Sequence, residues 1–146
     1  MEGIQREIMY SVFRMQKALY RLVREDAARV GITEVQLMIL YTLWKKENIR
    51  LNDLAEKLNL SNSNVSGTVD RLVNAGLVVR EISKHDRRAV ILSLTDKGRE
   101  TIKKAFNHES VLIQRLKRIE QAFNEEEILQ YLSIQRKMKD ILLGEE

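Results

Sequence analysis

Among its 146 residues the chain has no cysteine, no proline and only six glycines. Without cysteine there are no disulfide staples, no thiolate zinc site and no thiol-based redox sensing. Without proline, helix boundaries have to be read from capping residues and glycines. The glycines form no phosphate-cradling loop, and no nucleophile–base pair stands out, so no enzymatic chemistry is expected. The two histidines, His85 and His108, lie far apart without clustered carboxylate partners, so neither a metal nor a cofactor is expected. No apolar run approaches the roughly 18 residues needed to span a bilayer, so no membrane partner is expected. The opening residues Met1-Glu2-Gly3-Ile4-Gln5-Arg6-Glu7 mix charges and lack the apolar centre of a secretory signal, so the expected compartment is the cytoplasm.

What is present describes a globular chain: 44% hydrophobic and 32% charged residues, in a length that fits one domain with a core of its own. The formal charge is +4, and its distribution is uneven. Residues 45–104 hold 13 Lys/Arg against 8 Asp/Glu, a net +5, while the remainder holds 12 against 13, a net −1. A basic centre between near-neutral flanks is the footprint of a polyanion-binding module, although charged faces are more often simply solvated.

Apolar residues at Ile8, Val12, Met15, Leu19, Leu22 and Val23 recur at spacings of three and four, predicting a first helix that runs to about Arg29 and stops at Gly31. Thr33 with Gln36 three residues on reads as a capping box. It opens a second helix over about 34–46, apolar on most sides and therefore central to the core. A short helix is predicted over about 52–58 and, after Asn59-Leu60-Ser61, another that ends at Gly76. From Leu77 to Ile82 and from Ala89 to Leu94 the period changes to two, predicting strands joined by the polar turn 83–88. Thr95 caps a long helix expected to continue past Leu116 and Ile119. Asn124 followed by Glu125, Glu126 and Glu127 opens the last helix.

Residues 52–75 are the most informative. The second helix of this helix-turn-helix buries Val65, Val69 and Leu72. It leaves Asn62, Ser63, Asn64, Ser66, Gly67, Asp70 and Arg71 outward. Small hydrogen-bonding groups let a helix sit deep in a major groove and meet base edges. Glycine costs about 1 kcal/mol in a helix interior, so close approach at Gly67 by DNA or by a neighbouring helix is expected. The adjoining hairpin presents Lys84, His85, Arg87 and Arg88 at its tip and Arg80 on its flank, suited to a phosphate backbone and a minor groove. In an extended turn Asp86 and Arg88 project to one side, where the carboxylate can hold the guanidinium as a fork. The bland alternative is a polar surface beside an ordinary basic hairpin.

The run Lys84-His85-Asp86-Arg87-Arg88, then Val90-Ile91-Leu92-Ser93-Leu94-Thr95-Asp96-Lys97-Gly98-Arg99, closely resembles the wing motif of the MarR (multiple antibiotic resistance regulator) family. Leu54-Ala55-Glu56-Lys57-Leu58 and Val69-Asp70-Arg71-Leu72-Val73-Asn74-Ala75-Gly76-Leu77-Val78 resemble it too, and the likeness covers essentially the whole chain. It implies a mainly α fold: a winged helix-turn-helix of about six helices with a two- to three-stranded β-wing, whose terminal helices form a dimerisation region. Residues 33–99 would be the DNA-binding lobe of one 1–146 domain, and 1–30 and 100–146 the dimerisation helices. The resemblance further implies helix 62–75 in the major groove of double-stranded DNA and wing 83–89 at the minor groove, Arg88 entering the groove with Asp86 as its brace. Gly67 stands where some members carry a larger contact residue. Lacking cysteine, the chain is not of the family's peroxide-sensing branch.

The terminal helices carry apolar residues (Ile4, Ile8, Val12, Met15, Leu19; Ile128, Tyr131, Leu132, Met138, Ile141, Leu142) beyond what a winged helix needs to cover its core. Two-fold pairing into a homodimer that reads a pseudo-palindrome accounts for them; packing within one chain is the alternative. Family members bind small aromatic or anionic effectors between arms and lobe. Arg14, Tyr41 and Trp44 are the candidates here, against a reading that puts Tyr41 and Trp44 in the core and Arg14 on the surface. The functional expectation is a sequence-specific repressor released from its operator by a small ligand. The alternative is a winged helix that contacts only proteins, which the missing aromatic and aliphatic anchors disfavour.

Overall fold

Capping side chains set the helix boundaries. In the computed structural model, which describes residues 1–146, α1 spans Gly3–Arg29 and gives way at Gly31, whose φ of +78° only glycine adopts without strain. Thr33 Oγ1 accepts the Gln36 N–H at 3.2 Å and Gln36 Oε1 accepts the Thr33 N–H at 2.9 Å, the capping box that opens α2 (Glu34–Lys45). A two-residue strand, β1 (Ile49–Arg50), leads into α3 (Leu51–Leu58). Asn59, left-handed at φ 52°, turns the chain into α4 (Asn62–Asn74). Strands β2 (Val78–Ile82) and β3 (Val90–Leu94) follow, then α5 (Asp96–Ala105), α6 (Val111–Ala122) and α7 (Glu125–Leu143).

The three strands form one antiparallel sheet in the order β1-β3-β2, with Ile49 opposite Leu92, Arg80 opposite Leu92 and Ile82 opposite Val90. The sheet and α2–α5 close on a core centred on Leu37, Ile39, Leu40 and Leu43 of α2, with Leu54, Val65, Val69, Leu72 and Leu92 around them, all fully buried. The central place expected of the second helix is therefore real. The hairpin read from the sequence gains β1 as a third strand, which two residues are too few to announce.

The long helix expected after Thr95 does not exist as one piece. It ends at Ala105, and α6 starts at Val111, giving seven helices rather than about six. The break is held from outside. Asp26, buried at the end of α1, accepts the Ser110 hydroxyl at 2.6 Å and the N–H groups of Val111 and Leu112 at 2.9 and 3.2 Å. A carboxylate from a distant helix thus caps the N-terminus of α6. Nearby, the Arg29 guanidinium donates to the carbonyls of Lys104 and Ala105, both at 2.9 Å, closing the C-terminus of α5.

The chain divides into two units, residues 1–112 and residues 113–146. The second holds most of α6 and all of α7. There Asn124 and Glu127 form a capping box of 2.8 and 3.1 Å, and no side chain of either helix is buried. Within the first unit, Ile4, Ile8, Val12, Met15 and Leu19 of α1 are likewise exposed. No helix is long and apolar enough to cross a membrane.

Candidate nucleic-acid interface

The helix α4 is bolted at one end and open at the other. At its start Ser61 Oγ accepts the Asn64 N–H at 3.2 Å, an N-cap that leaves the rest of the first turn facing solvent. At its end Gly76, with φ +74°, lets Leu77 N–H return to Leu72 C=O at 2.9 Å. The β3–α5 junction then gathers the carbonyls beyond that end: Thr95 Oγ1 donates to Gly76 C=O at 2.6 Å, Thr95 N–H to Leu77 C=O at 3.2 Å and Lys97 Nζ to Ala75 C=O at 3.0 Å. A lysine there also suits the negative end of the helix dipole. Gly98 completes the joint, since a Cβ on it would stand 2.2 Å from the Leu77 carbonyl oxygen. From the sequence Thr95 is only a helix cap; its tie to α4 is visible only in three dimensions.

The face of α4 follows the reading closely. Val65, Val69 and Leu72 are buried, together with Thr68, whose hydroxyl donates to Asn64 C=O at 2.9 Å. Asn62, Ser63, Asn64, Asp70 and Arg71 are exposed, and Ser66 and Gly67 half-buried. The amide side chains of Asn62 and Asn64 have no hydrogen-bond partner within the chain. A Cβ on Gly67 would meet nothing within 4 Å, so the neighbouring helix offered as one reason for that glycine is absent.

The wing tip is organised by its backbone. Ser83 N–H donates to Ala89 C=O at 2.9 Å, Ala89 N–H to Asp86 C=O at 3.0 Å and His85 N–H to Ser83 Oγ at 3.3 Å. Asp86 does brace Arg88, but not as expected: its Oδ1 accepts the Arg88 backbone N–H at 3.0 Å, and no carboxylate–guanidinium fork forms. An Asp side chain reaches the N–H two residues on without ordering a long side chain, so the local Asx turn wins over the ion pair. Lys84, His85, Arg87 and Arg88 are exposed. Lys84, Arg87 and Arg88 form no ion pair, leaving their charges available to a polyanion.

Helix and wing are joined by an ion pair the sequence did not announce. Arg80 lies opposite the buried Leu92, hence on the α4 side of the sheet, and its guanidinium donates to Asp70 Oδ1 at 2.5 Å. Arg80, read as one more basic group of the wing flank, is thus neutralised. The signal was the period of two in β2, which puts Arg80 on the same face as Val78. Ile82, two residues further, is 67% exposed on that face.

No hydrogen bond, ion pair or ring contact joins the three effector candidates, although Tyr41 and Trp44 lie one turn apart on α2. Arg14 pairs with Glu7 on its own helix at 3.7 Å, and the Tyr41 ring meets Phe106 edge-on at 5.6 Å. Tyr41 and Trp44 are 44% and 39% exposed, which corrects the reading that puts both in the core: the core-facing side of α2 is already filled by Leu37, Leu40 and Leu43.

Comparison with known proteins agrees with this architecture. The MarR family model matches residues 32–90, from just before α2 to the start of β3. MdtR, an HTH-type transcriptional repressor of Bacillus subtilis, is 30% identical over 96 residues, covering 63% of this chain and 62% of MdtR. Matches to MdtR and two other curated relatives span 45–62% of those proteins' lengths, so the chain covers about half to three fifths of them. The structure of the transcriptional repressor CouR bound to a 23-mer DNA duplex aligns with 89% of this chain and 90% of that one, at 28% identity and a TM-score of 0.73. AbsC, a MarR family transcriptional regulator from Streptomyces coelicolor, aligns over 99% and 97%, at 25% identity and a TM-score of 0.80. The family model lies on the helix-turn-helix and the wing, and over that lobe the chain is similar to MarR-family winged helix-turn-helix regulators.

Proposed function

We propose that this protein is a sequence-specific, double-stranded DNA-binding transcriptional repressor. The observation that carries the reading is the pairing of two exposed surfaces. One is the amide- and hydroxyl-bearing face of α4, anchored at its far end by Thr95 and Lys97. The other is the wing tip, whose Lys84, Arg87 and Arg88 are unpaired. Asn62, Ser63, Asn64, Ser66, Gly67 and Arg71 serve the major groove, where Asn amides suit adenine and Arg suits guanine or phosphate. Lys84, His85, Arg87 and Arg88 serve the backbone and minor groove, with Asp86 shaping the turn that presents them. MdtR and CouR are repressors, and CouR is seen on a 23-mer duplex, which supports duplex DNA as the partner and repression as the outcome.

The exposed apolar residues of α1 and α7 are the arms through which two copies pair, residues 33–99 forming the DNA-binding lobe of each. The homodimer then reads a pseudo-palindrome. Tyr41, Trp44 and Arg14 are the residues to examine for a small aromatic or anionic effector, two rings and a cation being its natural partners. The bacterial cytoplasm is the compartment this work requires.

The deciding experiment is selection of duplexes from a randomised pool by the purified protein, followed by fluorescence anisotropy over a salt series. Enrichment of a two-fold-related motif, with log affinity falling linearly against log salt, is expected. No enrichment and no retardation of any duplex at low salt would leave only a protein-contacting winged helix.

A further inference from the structure

We propose that Gly67 sets the depth at which α4 enters the major groove, and that its bare Cα lies against the C5-methyl of a thymine. This deepens the duplex-binding reading above and rests on it.

The fold itself gives no reason for glycine at position 67. Its backbone is helical and does not need the left-handed freedom used at Gly76. A Cβ would point into open space, unlike at Gly98, where it would strike the Leu77 carbonyl. Glycine in mid-helix is less favourable than alanine, so within the chain the residue only weakens α4. The compensating advantage therefore lies outside the chain, on the face that Gly67 shares with Ser63 and Asn64 one turn earlier and Asp70 and Arg71 one turn later. These neighbours frame a notch. Two of them are held in place: Asp70 by Arg80 at 2.5 Å, and Arg71, whose guanidinium reaches Thr68 Oγ1 at 3.4 Å.

The chemistry of the notch selects its occupant. Gly67 has no side chain with which to satisfy a donor or acceptor, so a guanine, cytosine or adenine edge pressed against it would lose a hydrogen bond to water without replacement. Thymine alone presents an apolar group in the major groove, its C5-methyl. A Cα without a side chain leaves room for that methyl while Asn64 reaches a neighbouring base. The residue thus exchanges helix stability for close approach.

The test pairs Gly67→Ala with removal of the methyl from the DNA. Duplexes selected by the wild-type protein are remade with deoxyuridine replacing thymine one position at a time. For the wild type, one position in each half-site is expected to lower affinity several-fold when its methyl is removed. Gly67→Ala should bind the thymine duplex about tenfold more weakly, the scale of one lost base-pair contact. It should no longer sense that methyl. Its affinity for an unrelated duplex and its salt slope should match the wild type, because no charge has changed, and its thermal midpoint should be equal or higher. Wild-type affinity in Gly67→Ala overturns the proposal, as does an equal loss on selected and unrelated duplexes. Failure of the wild type to bind any duplex overturns the duplex-binding reading itself, and this inference with it.

Discussion

Arg80 of the wing donates to Asp70 of α4 at 2.5 Å, joining the helix proposed to enter the major groove to the strand that carries the basic tip. Both side chains are substantially exposed, so the pair contributes under about 1 kcal/mol to stability. Its larger consequence is electrostatic. Asp70 occupies the one wing arginine outside the tip, and on the proposed duplex it would keep that cation off the phosphates. Asp70→Asn should therefore free a cation, steepening the salt dependence of duplex binding by about one further phosphate contact, a slope change near −0.9. Affinity for unrelated DNA should rise more than affinity for the selected site, which lowers discrimination. An unchanged slope would mean that Arg80 cannot reach the backbone.

At the wing tip, two substitutions of one residue separate two accounts of Asp86. If its carboxylate held the Arg88 guanidinium, Asn would fail as badly as Ala. Because Oδ1 accepts the Arg88 backbone N–H at 3.0 Å, Asp86→Asn keeps an acceptor in place. It should bind duplex DNA as well as the wild type or better, having lost a negative charge. Asp86→Ala unties the turn and should bind several-fold more weakly, while Arg88→Ala should lose affinity and about one unit of salt slope. Equal impairment of the Asn and Ala variants would restore the guanidinium fork.

Two glycine-to-alanine changes should move stability in opposite directions. At Gly98 the new Cβ would sit 2.2 Å from the Leu77 carbonyl oxygen, which is backbone and already accepts from Thr95. Overpacking of that kind costs about 1–3 kcal/mol. At Gly67 the methyl enters open space, and the helix gains up to about 1 kcal/mol of propensity. Urea unfolding monitored by circular dichroism measures both, and a loss of stability in Gly67→Ala would show that the helix tolerates no side chain there.

Asp26 is 1% exposed and takes three donors, the Ser110 hydroxyl and the N–H groups of Val111 and Leu112. Asp26→Ala leaves all three without their acceptor at the start of a helix, where one buried unsatisfied group already costs about 1–3 kcal/mol. A loss of about 3 kcal/mol is expected in chemical denaturation. Ser110→Ala, which removes one of the three donors and leaves the Val111 and Leu112 N–H groups their carboxylate, should lose clearly less. Similar losses for the two variants would mean that the hydroxyl carries the contact and the helix cap adds nothing.

Much of this protein was legible because its rules are local. Thr33 with Gln36, Ser61 with Asn64, Asn124 with Glu127, and the glycines at 31 and 76 act within four residues of themselves, so the sequence alone placed α1, α2, α4 and α7 and the face of α4 that stays exposed. The change of period from 3.6 to two likewise located the hairpin and its basic tip. What escaped is non-local. Within 106–110 only Asn107 breaks the helix locally, its Oδ1 accepting the Glu109 N–H at 2.9 Å, and the carboxylate that caps α6 arrives from Asp26, more than eighty residues earlier. The pairing of Arg80 with Asp70, the seating of Gly98 on Leu77 and the tie from Lys97 to the end of α4 all join side chains of one segment to atoms of another. Hydrogen bonds within a turn are fixed by the residues that make it, whereas a contact between distant segments exists only once the core has brought its two ends together. The sequence therefore determined which surfaces this protein offers, and only the folded chain decided how firmly, and at what angle, they are held.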